Sequence, residues 1–328
     1  MTIPSPRAPQ YRLKGRSVTA GLILAVLNFL LFFSHTGNAG RAFAAQAGGA
    51  TTAPSRTPVP PRASSSKQVP GKPSPAQDSR SRLAVKSRIA LVVDANTSEP
   101  LLVKDADRVV PIASITKLMT AMVVLDAKLP MSEKLKITDA DRDLVMATTS
   151  RLQVGWTLSR QDMLHLALMS SENRAAAALS RYYPGGRPAF IEAMNAKAAA
   201  LGMTNTHFVN PNGLTTENVS TAFDLAKLVR AAVRYSLIRQ FSTDPDYVVQ
   251  IGRYVLPYFN SNRLVGRAEW DIEVQKTGFT NEAGRCLVMQ VNANGRTLIM
   301  VFLDGNGKLT RFADARRVVT QLAALEKR

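Results

Sequence analysis

The chain has 328 residues, of which 45% are apolar, and a formal net charge of +18 at pH 7. This length and apolar content allow one or two folded domains with a substantial core. Residues 1–88 hold 13 basic residues and one acidic residue, whereas residues 89–328 hold 29 basic and 23 acidic residues. Because the excess charge lies mainly in the N-terminal quarter, outside any predicted core, it does not indicate a nucleic-acid-binding surface.

Metal and redox chemistry are not indicated either. A single cysteine, Cys286, excludes an intrachain disulfide and any Cys-x-x-Cys motif, and it lies in an apolar run typical of a buried strand. The histidines, His35, His165 and His207, do not have the spacing of metal ligands. We therefore expect no metal and no cofactor.

The N-terminus has the pattern of an export signal. Four basic residues within 7–16 precede an uncharged apolar run, Val18 to Phe33, which is short for a spanning helix but suits a secretory signal. Small residues that could form a cleavage site follow before residue 45. We expect residues 1–44 to be a signal peptide, or alternatively an N-terminal anchor, and the rest of the chain to be exported.

Residues 45–86 are rich in Pro, Ser, Ala and basic residues and have almost no large apolar side chains. Such a segment cannot bury enough apolar surface to offset the entropy of ordering. We expect a disordered linker. Its positive charge would also permit peripheral contact with a membrane or with wall polymers.

The folded domain is predicted over residues 87–328. Strands are expected at 88–94 and 101–104, followed by a helix from Ser114 to Leu129 with apolar residues at three- and four-residue spacing. The remaining predicted elements, in chain order, are helices at 159–170, 173–182, 188–201 and 221–235, strands at 247–251, 254–256, 273–277, 286–292 and 297–303, and a helix at 311–326. Strands at both ends with helices between them predict an α+β domain whose sheet joins N- and C-terminal segments.

The first motif with chemical meaning is Ser114-Ile115-Thr116-Lys117. Ser114 could simply cap the helix, since serine is a preferred N-cap residue. Residues three apart share a helix face, however, so Lys117 can reach the Ser114 hydroxyl. A serine becomes nucleophilic when a neighbouring base takes its proton, and a lysine can be that base when its pKa is lowered by burial or by another cation.

Two further motifs follow along the chain. In Ser171-Glu172-Asn173, between two predicted helices, a hydroxyl and a carboxamide could relay a proton and hold an amide, or either residue could be a helix cap. In Lys276-Thr277-Gly278, at the end of a predicted strand, the lysine would be a second cation, the threonine a hydroxyl donor to a carboxylate, and the glycine a place for close backbone approach.

The order of the three motifs resembles the penicillin-binding proteins and serine β-lactamases. The runs around these motifs resemble the low-molecular-mass D-alanyl-D-alanine peptidases, above all the endopeptidase branch, over about residues 88–328. These runs are Ala113–Thr120, Asp126–Pro130, Ser171–Ala176, Asn218–Ala222 and Lys276–Val288. The resemblance implies the penicillin-binding-protein fold, a periplasmic location, peptidoglycan peptides as substrates and β-lactams as acylating inhibitors.

The resemblance also implies roles for individual residues. Ser114 would attack a D-Ala carbonyl, Lys117 would be the general base, Ser171 would relay the proton to the leaving amine, and Asn173 would bind the substrate amide. Lys276 would adjust the electrostatics, and the backbone N–H groups of Ser114 and Phe279 would form an oxyanion hole. Arg311, at the start of the final helix, would hold a carboxylate, although a solvent-facing arginine is the alternative.

Several activities are compatible with these motifs. An endopeptidase that cuts D-alanyl cross-bridges is the preferred interpretation, because the runs resemble that branch most closely. A carboxypeptidase that removes the terminal D-Ala of pentapeptide stems shares the same catalytic residues. A β-lactamase is disfavoured because no segment supplies the extra glutamate that class A enzymes use, and a non-catalytic wall-binding protein is disfavoured because Ser114, Lys117 and Lys276 are all present.

Overall fold

The structure, a computed structural model, describes residues 83–143, 146 and 148–326. The predicted signal segment 1–44 and the predicted linker up to residue 82 lie outside these residues. Leu83, within the predicted linker, is buried, and the backbone N–H groups of Lys86 and Ser87 donate to the Asp314 carboxylate at 2.9 and 2.7 Å. The C-terminal end of that segment is therefore in contact with the folded domain.

A five-stranded antiparallel sheet forms the centre of the domain. Its strand order is β2-β1-β11-β10-β9, so the two N-terminal strands pair with the three C-terminal ones through β1 and β11. Short two-stranded pairs lie outside it: β3 with β6, β4 with β5, and β7 with β8. The strands are β1 (Ile89–Asp94), β2 (Pro100–Lys104), β3 (Val110–Pro111), β4 (Lys134–Lys136), β5 (Thr157–Ser159), β6 (Val219–Ser220), β7 (Asp246–Ile251), β8 (Tyr254–Phe259), β9 (Asp271–Thr280), β10 (Gly284–Ala293) and β11 (Arg296–Gly305).

In sequence, six of the described α-helices lie between β2 and β9, and one follows β11. They are α1 (Thr116–Asp126), α2 (Arg160–Met169), α3 (Asn173–Arg181), α4 (Gly186–Ala200), α5 (Ala222–Ala232), α6 (Ser236–Thr243) and α7 (Thr310–Glu326). A 3-10 turn, Ala113–Ile115, leads directly into α1.

Both faces of the sheet are buried. Successive side chains along a strand point to opposite faces, and each set packs in a different apolar cluster. In β1, Ala90 and Val92 belong to the apolar cluster that includes residues of α7, whereas Ile89 and Leu91 belong to the larger cluster shared with the other helices. Cys286 is fully buried in the larger cluster, where burial raises the pKa of its thiol to about 11, as expected for a packed and unreactive cysteine.

The predicted α+β architecture is confirmed, and the differences are local. The first helix begins at Thr116 after the 3-10 turn and ends at Asp126, because Lys128 adopts a left-handed φ of 52° that no α-helix can contain. The segment predicted as one helix over 221–235 ends at Ala232, and a separate helix, α6, follows it. The two- and three-residue strand pairs were not predicted.

Candidate active site

Ser114 lies in the 3-10 turn at the start of α1 and is only 8% exposed. The preceding residue, Ala113, has a φ of +46°, and neither the turn nor α1 has a side-chain N-cap. The Ser114 hydroxyl instead contacts Lys117 Nζ at 2.8 Å and the Asn212 carbonyl oxygen at 3.5 Å. The capping interpretation of Ser114 is therefore wrong, and the hydroxyl is free to take part in chemistry.

Lys117 has three polar neighbours. Its Nζ donates to Ser114 Oγ at 2.8 Å, to Asn173 Oδ1 at 2.8 Å and to the Asn212 carbonyl oxygen at 2.7 Å. A neutral amine has only two N–H donors and one lone pair. Because the amide and carbonyl oxygens can only accept, the lone pair of neutral Lys117 must face the Ser114 hydroxyl, the one neighbour of the three that can donate.

The Lys117 side chain is fully buried, and this sets its protonation. Burial lowers the pKa of Lys117 from its ordinary value to about 7, while the Glu172 carboxylate acts in the opposite direction. A substantial fraction of Lys117 is therefore neutral near pH 7 and can accept a proton from Ser114.

The second motif joins this pair from the turn between α2 and α3. Ser171 is half-buried and has a left-handed φ of 64°, and it precedes Glu172, the N-cap of α3. Neither Ser171 nor Asn173 is the cap, because the Glu172 carboxylate accepts the Arg174 backbone N–H at 3.3 Å. The Asn173 side chain is thereby left to accept from Lys117 and to donate to Thr148 Oγ1 at 3.1 Å.

The third motif lies on β9, an edge strand of the sheet, next to the 3-10 turn. Lys276 is fully buried and donates to its neighbour's carbonyl oxygen, Thr277 O, at 2.8 Å. Burial lowers the pKa of Lys276 well below its ordinary value, and the nearby Lys117 and Arg311 lower it further. Thr277 Oγ1 lies 2.7 Å from the hydroxyl oxygen of Ser261.

Gly278 on β9 packs tightly against the 3-10 turn that contains Ser114. A Cβ atom at this position would lie 3.0 Å from the carbonyl oxygen of Ile112 and 3.3 Å from the backbone nitrogen of Ser114. A larger residue would therefore push the strand away from the 3-10 turn that contains Ser114. The predicted need for glycine at this position agrees with that geometry.

The two remaining predicted residues come from the C-terminal part of the chain: Phe279 lies on β9 and Arg311 lies at the start of α7. Phe279 follows Gly278 on β9, and its ring is partly exposed beneath the Arg285 guanidinium, 4.1 Å from the ring centroid. Arg311 is only 7% exposed, so the solvent-facing alternative is wrong. Burial and the neighbouring Arg285 lower the pKa of Arg311 to about 10, and its Nε has no hydrogen-bond partner among the described residues.

A loop that was not predicted from the sequence supports Lys117 from the other side. Asn212 supplies the carbonyl oxygen, and Gly213 has a φ of +80°, with a Cβ position only 2.0 Å from the Ala113 carbonyl oxygen. Buried Asn218 braces the loop by accepting from the backbone N–H groups of Val209 and Asn210. The Asn-Pro-Asn-Gly run over 210–213 indicates a turn, but its sequence carries no signal that a backbone carbonyl would reach the lysine.

Among the residues that the structure describes, no group of three or more His, Cys, Asp or Glu side chains is placed to hold a metal ion. Within the same part of the chain, no helix is both long and apolar enough to span a bilayer. The site thus consists of a buried serine–lysine pair, a carboxamide, a second buried lysine and a glycine of β9 that packs against the serine turn. This set of groups is suited to nucleophilic acyl transfer.

Comparison with known proteins agrees with this chemistry. The family model for D-alanyl-D-alanine carboxypeptidases, Peptidase S11, matches residues 75–307. A D-alanyl-D-alanine endopeptidase of Pseudomonas aeruginosa is 54% identical over 231 residues, which cover 70% of this chain and 74% of the relative. The D-alanyl-D-alanine endopeptidase of Escherichia coli K12 is 51% identical over 247 residues, which cover 75% and 80% of the two chains.

A solved structure extends the comparison to three dimensions. Penicillin-binding protein D2 from Listeria monocytogenes, in its cefotaxime-bound form, superposes with a TM-score of 0.65 at 29% identity and covers 73% of this chain and 98% of its own. The expected penicillin-binding-protein fold is thus confirmed. With a family model matching more than two thirds of its length and relatives above 50% identity, the chain belongs to the Peptidase S11 family of D-alanyl-D-alanine peptidases.

Proposed function

We propose that this protein is a serine DD-endopeptidase that hydrolyses D-alanyl cross-bridges of peptidoglycan through an acyl-enzyme. The single observation that carries the serine mechanism is the contact of 2.8 Å between Lys117 Nζ and Ser114 Oγ, in a geometry that directs the lysine lone pair at the hydroxyl. The family, whose members are named for D-alanyl-D-alanine peptide bonds, supplies the substrate class.

The acylation step follows from that pair. Ser114 Oγ attacks the carbonyl carbon of a D-Ala residue while its proton passes to Lys117 Nζ. The carbon–nitrogen bond of the peptide then breaks, the leaving amine takes a proton through Ser171, and an ester of Ser114 remains. Water attacks this ester, releases the new carboxylate and returns the proton to Ser114.

The other predicted site residues support this step from two sides. Asn173, held by Thr148, would present its amide to the substrate backbone, and Lys276 and Thr277 would face the substrate's carboxylate side. The backbone N–H groups of Ser114 and Phe279 would stabilise the oxyanion, typically one of the larger contributions to catalysis. The close approach of Gly278 to the Ser114 nitrogen favours this assignment.

The endopeptidase activity is favoured over the carboxypeptidase activity by the two relatives above 50% identity, both of which are named endopeptidases. A carboxypeptidase would use the same serine, lysine and carboxamide. The buried Arg311 guanidinium, whose Nε has no hydrogen-bond partner among the described residues, would fit a substrate carboxylate beside the scissile bond in either case.

The activity is tested by offering the purified protein cross-linked muropeptide dimers and monomeric pentapeptides side by side and separating the products by chromatography. We expect the dimers to be converted to monomers, and Ser114→Ala to leave them intact. Release of free D-Ala with the dimers left uncut would contradict the endopeptidase assignment and favour the carboxypeptidase.

The remaining parts of the proposal concern location and inhibitors. We propose that the N-terminal segment 1–44 directs export to the periplasm, and that residues 45–82 form a basic linker with peripheral contact to wall or membrane. β-Lactams would acylate Ser114. The cefotaxime-bound relative supports this last point.

A further inference from the structure

Glu172 is a buried carboxylate beside the active site that the proposed mechanism does not use. It is 8% exposed and lies between Ser171 and Asn173. Its Oε1 accepts the Ser150 hydroxyl in a short hydrogen bond and also accepts the Arg174 backbone N–H at 3.3 Å. A helix cap needs only the second of these contacts, so the first calls for its own explanation.

The hydrogen bond from Ser150 fixes residues 148–152 against the second motif. Thr148 accepts from the Asn173 side chain at 3.1 Å, and the Leu152 carbonyl oxygen accepts from Arg174 Nη1 at 2.5 Å. Three hydrogen bonds thus connect residues 148–152 with residues 172–174. The one between Ser150 and Glu172 lies between the other two along residues 148–152. One of these contacts holds the same carboxamide that contacts Lys117.

The same segment reaches across to β8. Arg151 donates to the Pro257 carbonyl oxygen at 2.5 Å, and its guanidinium lies 4.5 Å from the centroid of the Tyr258 ring. The Tyr258 hydroxyl is buried without a hydrogen-bond partner among the described residues. Burial raises the pKa of Tyr258, and the nearby Glu172 raises it further, so the phenol stays neutral and puts no second charge next to the carboxylate.

The charged groups that face Glu172 are Lys117 from α1 and Arg174 from α3. Burial raises the pKa of Glu172 above its ordinary value, and the hydrogen bonds from Ser150 and Arg174 and the charges of Lys117 and Arg174 only partly offset this. Lys117 in turn has Lys276, a second buried lysine, as an electrostatic neighbour. When Lys117 takes the proton of Ser114 it becomes a cation, and an ionised Glu172 beside it would stabilise that state.

We propose that Glu172 is a positioning residue for Lys117 and Asn173, holding residues 148–152 in place through Ser150 and keeping a negative charge beside the lysine. This inference rests on the proposed function, since it assumes that Lys117 is the base for Ser114. It gives the middle residue of the second motif a role that neither neighbour can fill, because Ser171 and Asn173 are uncharged.

The charge is tested by the pH dependence of acylation by a fluorescent penicillin. The rate is measured from about pH 5 to about pH 9, so that both the rising part of the profile at low pH (the acid limb) and the plateau are recorded. Glu172→Gln keeps the shape and an acceptor oxygen but removes the charge. We expect its acid limb to move to lower pH by about 0.5 to 1 unit, and its plateau rate to fall several-fold, because Lys117 becomes a weaker base. An unchanged acid limb would overturn the proposal.

Two control variants separate charge from folding. Glu172→Asp keeps the charge, and its acid limb should stay with that of the wild type even if the shorter side chain lowers the rate; a shift equal to that of glutamine would contradict the charge role. Glu192→Gln removes the same charge from an exposed position on α4 and should change nothing. Thermal unfolding of each variant confirms that it is folded.

The contact with residues 148–152 has its own test. Ser150→Ala removes the hydrogen bond to Glu172, and we expect the KM for cross-linked dimers to rise several-fold because Asn173 loses its support; an unchanged KM would overturn this half of the proposal. If penicillin does not acylate the wild type, the proposed function itself fails. Wild-type acylation together with a pH profile insensitive to Glu172→Gln refutes only the present inference.

Discussion

Lys117 Nζ lies 2.8 Å from Ser114 Oγ, and its two other contacts, with Asn173 Oδ1 and the Asn212 carbonyl oxygen, are to atoms that can only accept hydrogen bonds. The neutral lysine therefore has one orientation of its lone pair that satisfies all three neighbours. Three segments far apart in the chain fix that orientation, so the lone pair of neutral Lys117 is directed at the Ser114 hydroxyl in the substrate-free protein.

Replacing the base should abolish most of the acylation. Lys117→Met keeps much of the buried side-chain volume but removes the amine, and we expect the second-order rate of acylation by penicillin to fall by about 100- to 10,000-fold. The matched control is Lys134→Met, at an exposed position on β4, which should leave the rate unchanged. A Lys117→Met rate within a few-fold of the wild type would contradict the assignment of the base.

The pH dependence of acylation should follow the protonation of Lys117. The base acts only when neutral, and burial lowers the pKa of Lys117 to about 7. We therefore expect the rate to rise by about tenfold per pH unit below this value and to level off above it. Stopped-flow acylation across the pH range checks this, and a rate that still rises steeply up to about pH 10, the range of an ordinary lysine, would be incompatible with it.

Gly213 should tolerate no side chain. It combines a left-handed φ of +80° with a Cβ position 2.0 Å from the Ala113 carbonyl oxygen, whereas Gly202 has a φ of +67° and no atom within 4 Å. We expect Gly202→Ala to lose about 1–2 kcal/mol of unfolding free energy from strain alone. Gly213→Ala should lose at least about 2 kcal/mol more, because its side chain displaces the 3-10 turn that contains Ser114.

Denaturant unfolding of the two glycine variants measures this difference directly. Acylation by penicillin supplies a second readout, since only Gly213→Ala should disturb the Asn212 carbonyl that contacts Lys117. Equal losses of stability in the two variants would mean that the close contact with Ala113 is not formed in solution.

Removing the Arg311 guanidinium should weaken substrate binding without weakening the fold. This cation is buried, its Nε has no hydrogen-bond partner among the described residues, and burying a charge that is not fully paired costs stability. For Arg311→Met we expect an unchanged or higher Tm and a KM for carboxylate-bearing peptides raised about tenfold or more. Exposed Arg316→Met is the control, and a lower Tm with an unchanged KM would assign Arg311 a purely structural role.

The sequence was sufficient to predict the parts of the site that depend on local periodicity. Ser114 and Lys117 are separated by about one helical turn, so the helical pattern alone places them together. The joining of N- and C-terminal strands in one sheet follows from the order of elements.

What could not be predicted depends on tertiary contacts. The Asn212 carbonyl is 95 residues from Lys117 in sequence, and a backbone oxygen leaves no trace in residue type. The cap of α3 is Glu172 rather than the better capping residues on either side of it, because Asn173 faces Lys117. Arg311, at the start of a helix, has the sequence context of a solvated cation, and only the packing of α7 on the sheet buries it.

The central claim, that Ser114 is the nucleophile, is tested most directly by mass spectrometry of the protein after incubation with benzylpenicillin. We predict one covalent adduct per chain, located by peptide mapping on the peptide that contains Ser114, and no adduct on the Ser114→Ala variant. An adduct that persists in Ser114→Ala, or that maps to another residue in the wild type, would contradict the account.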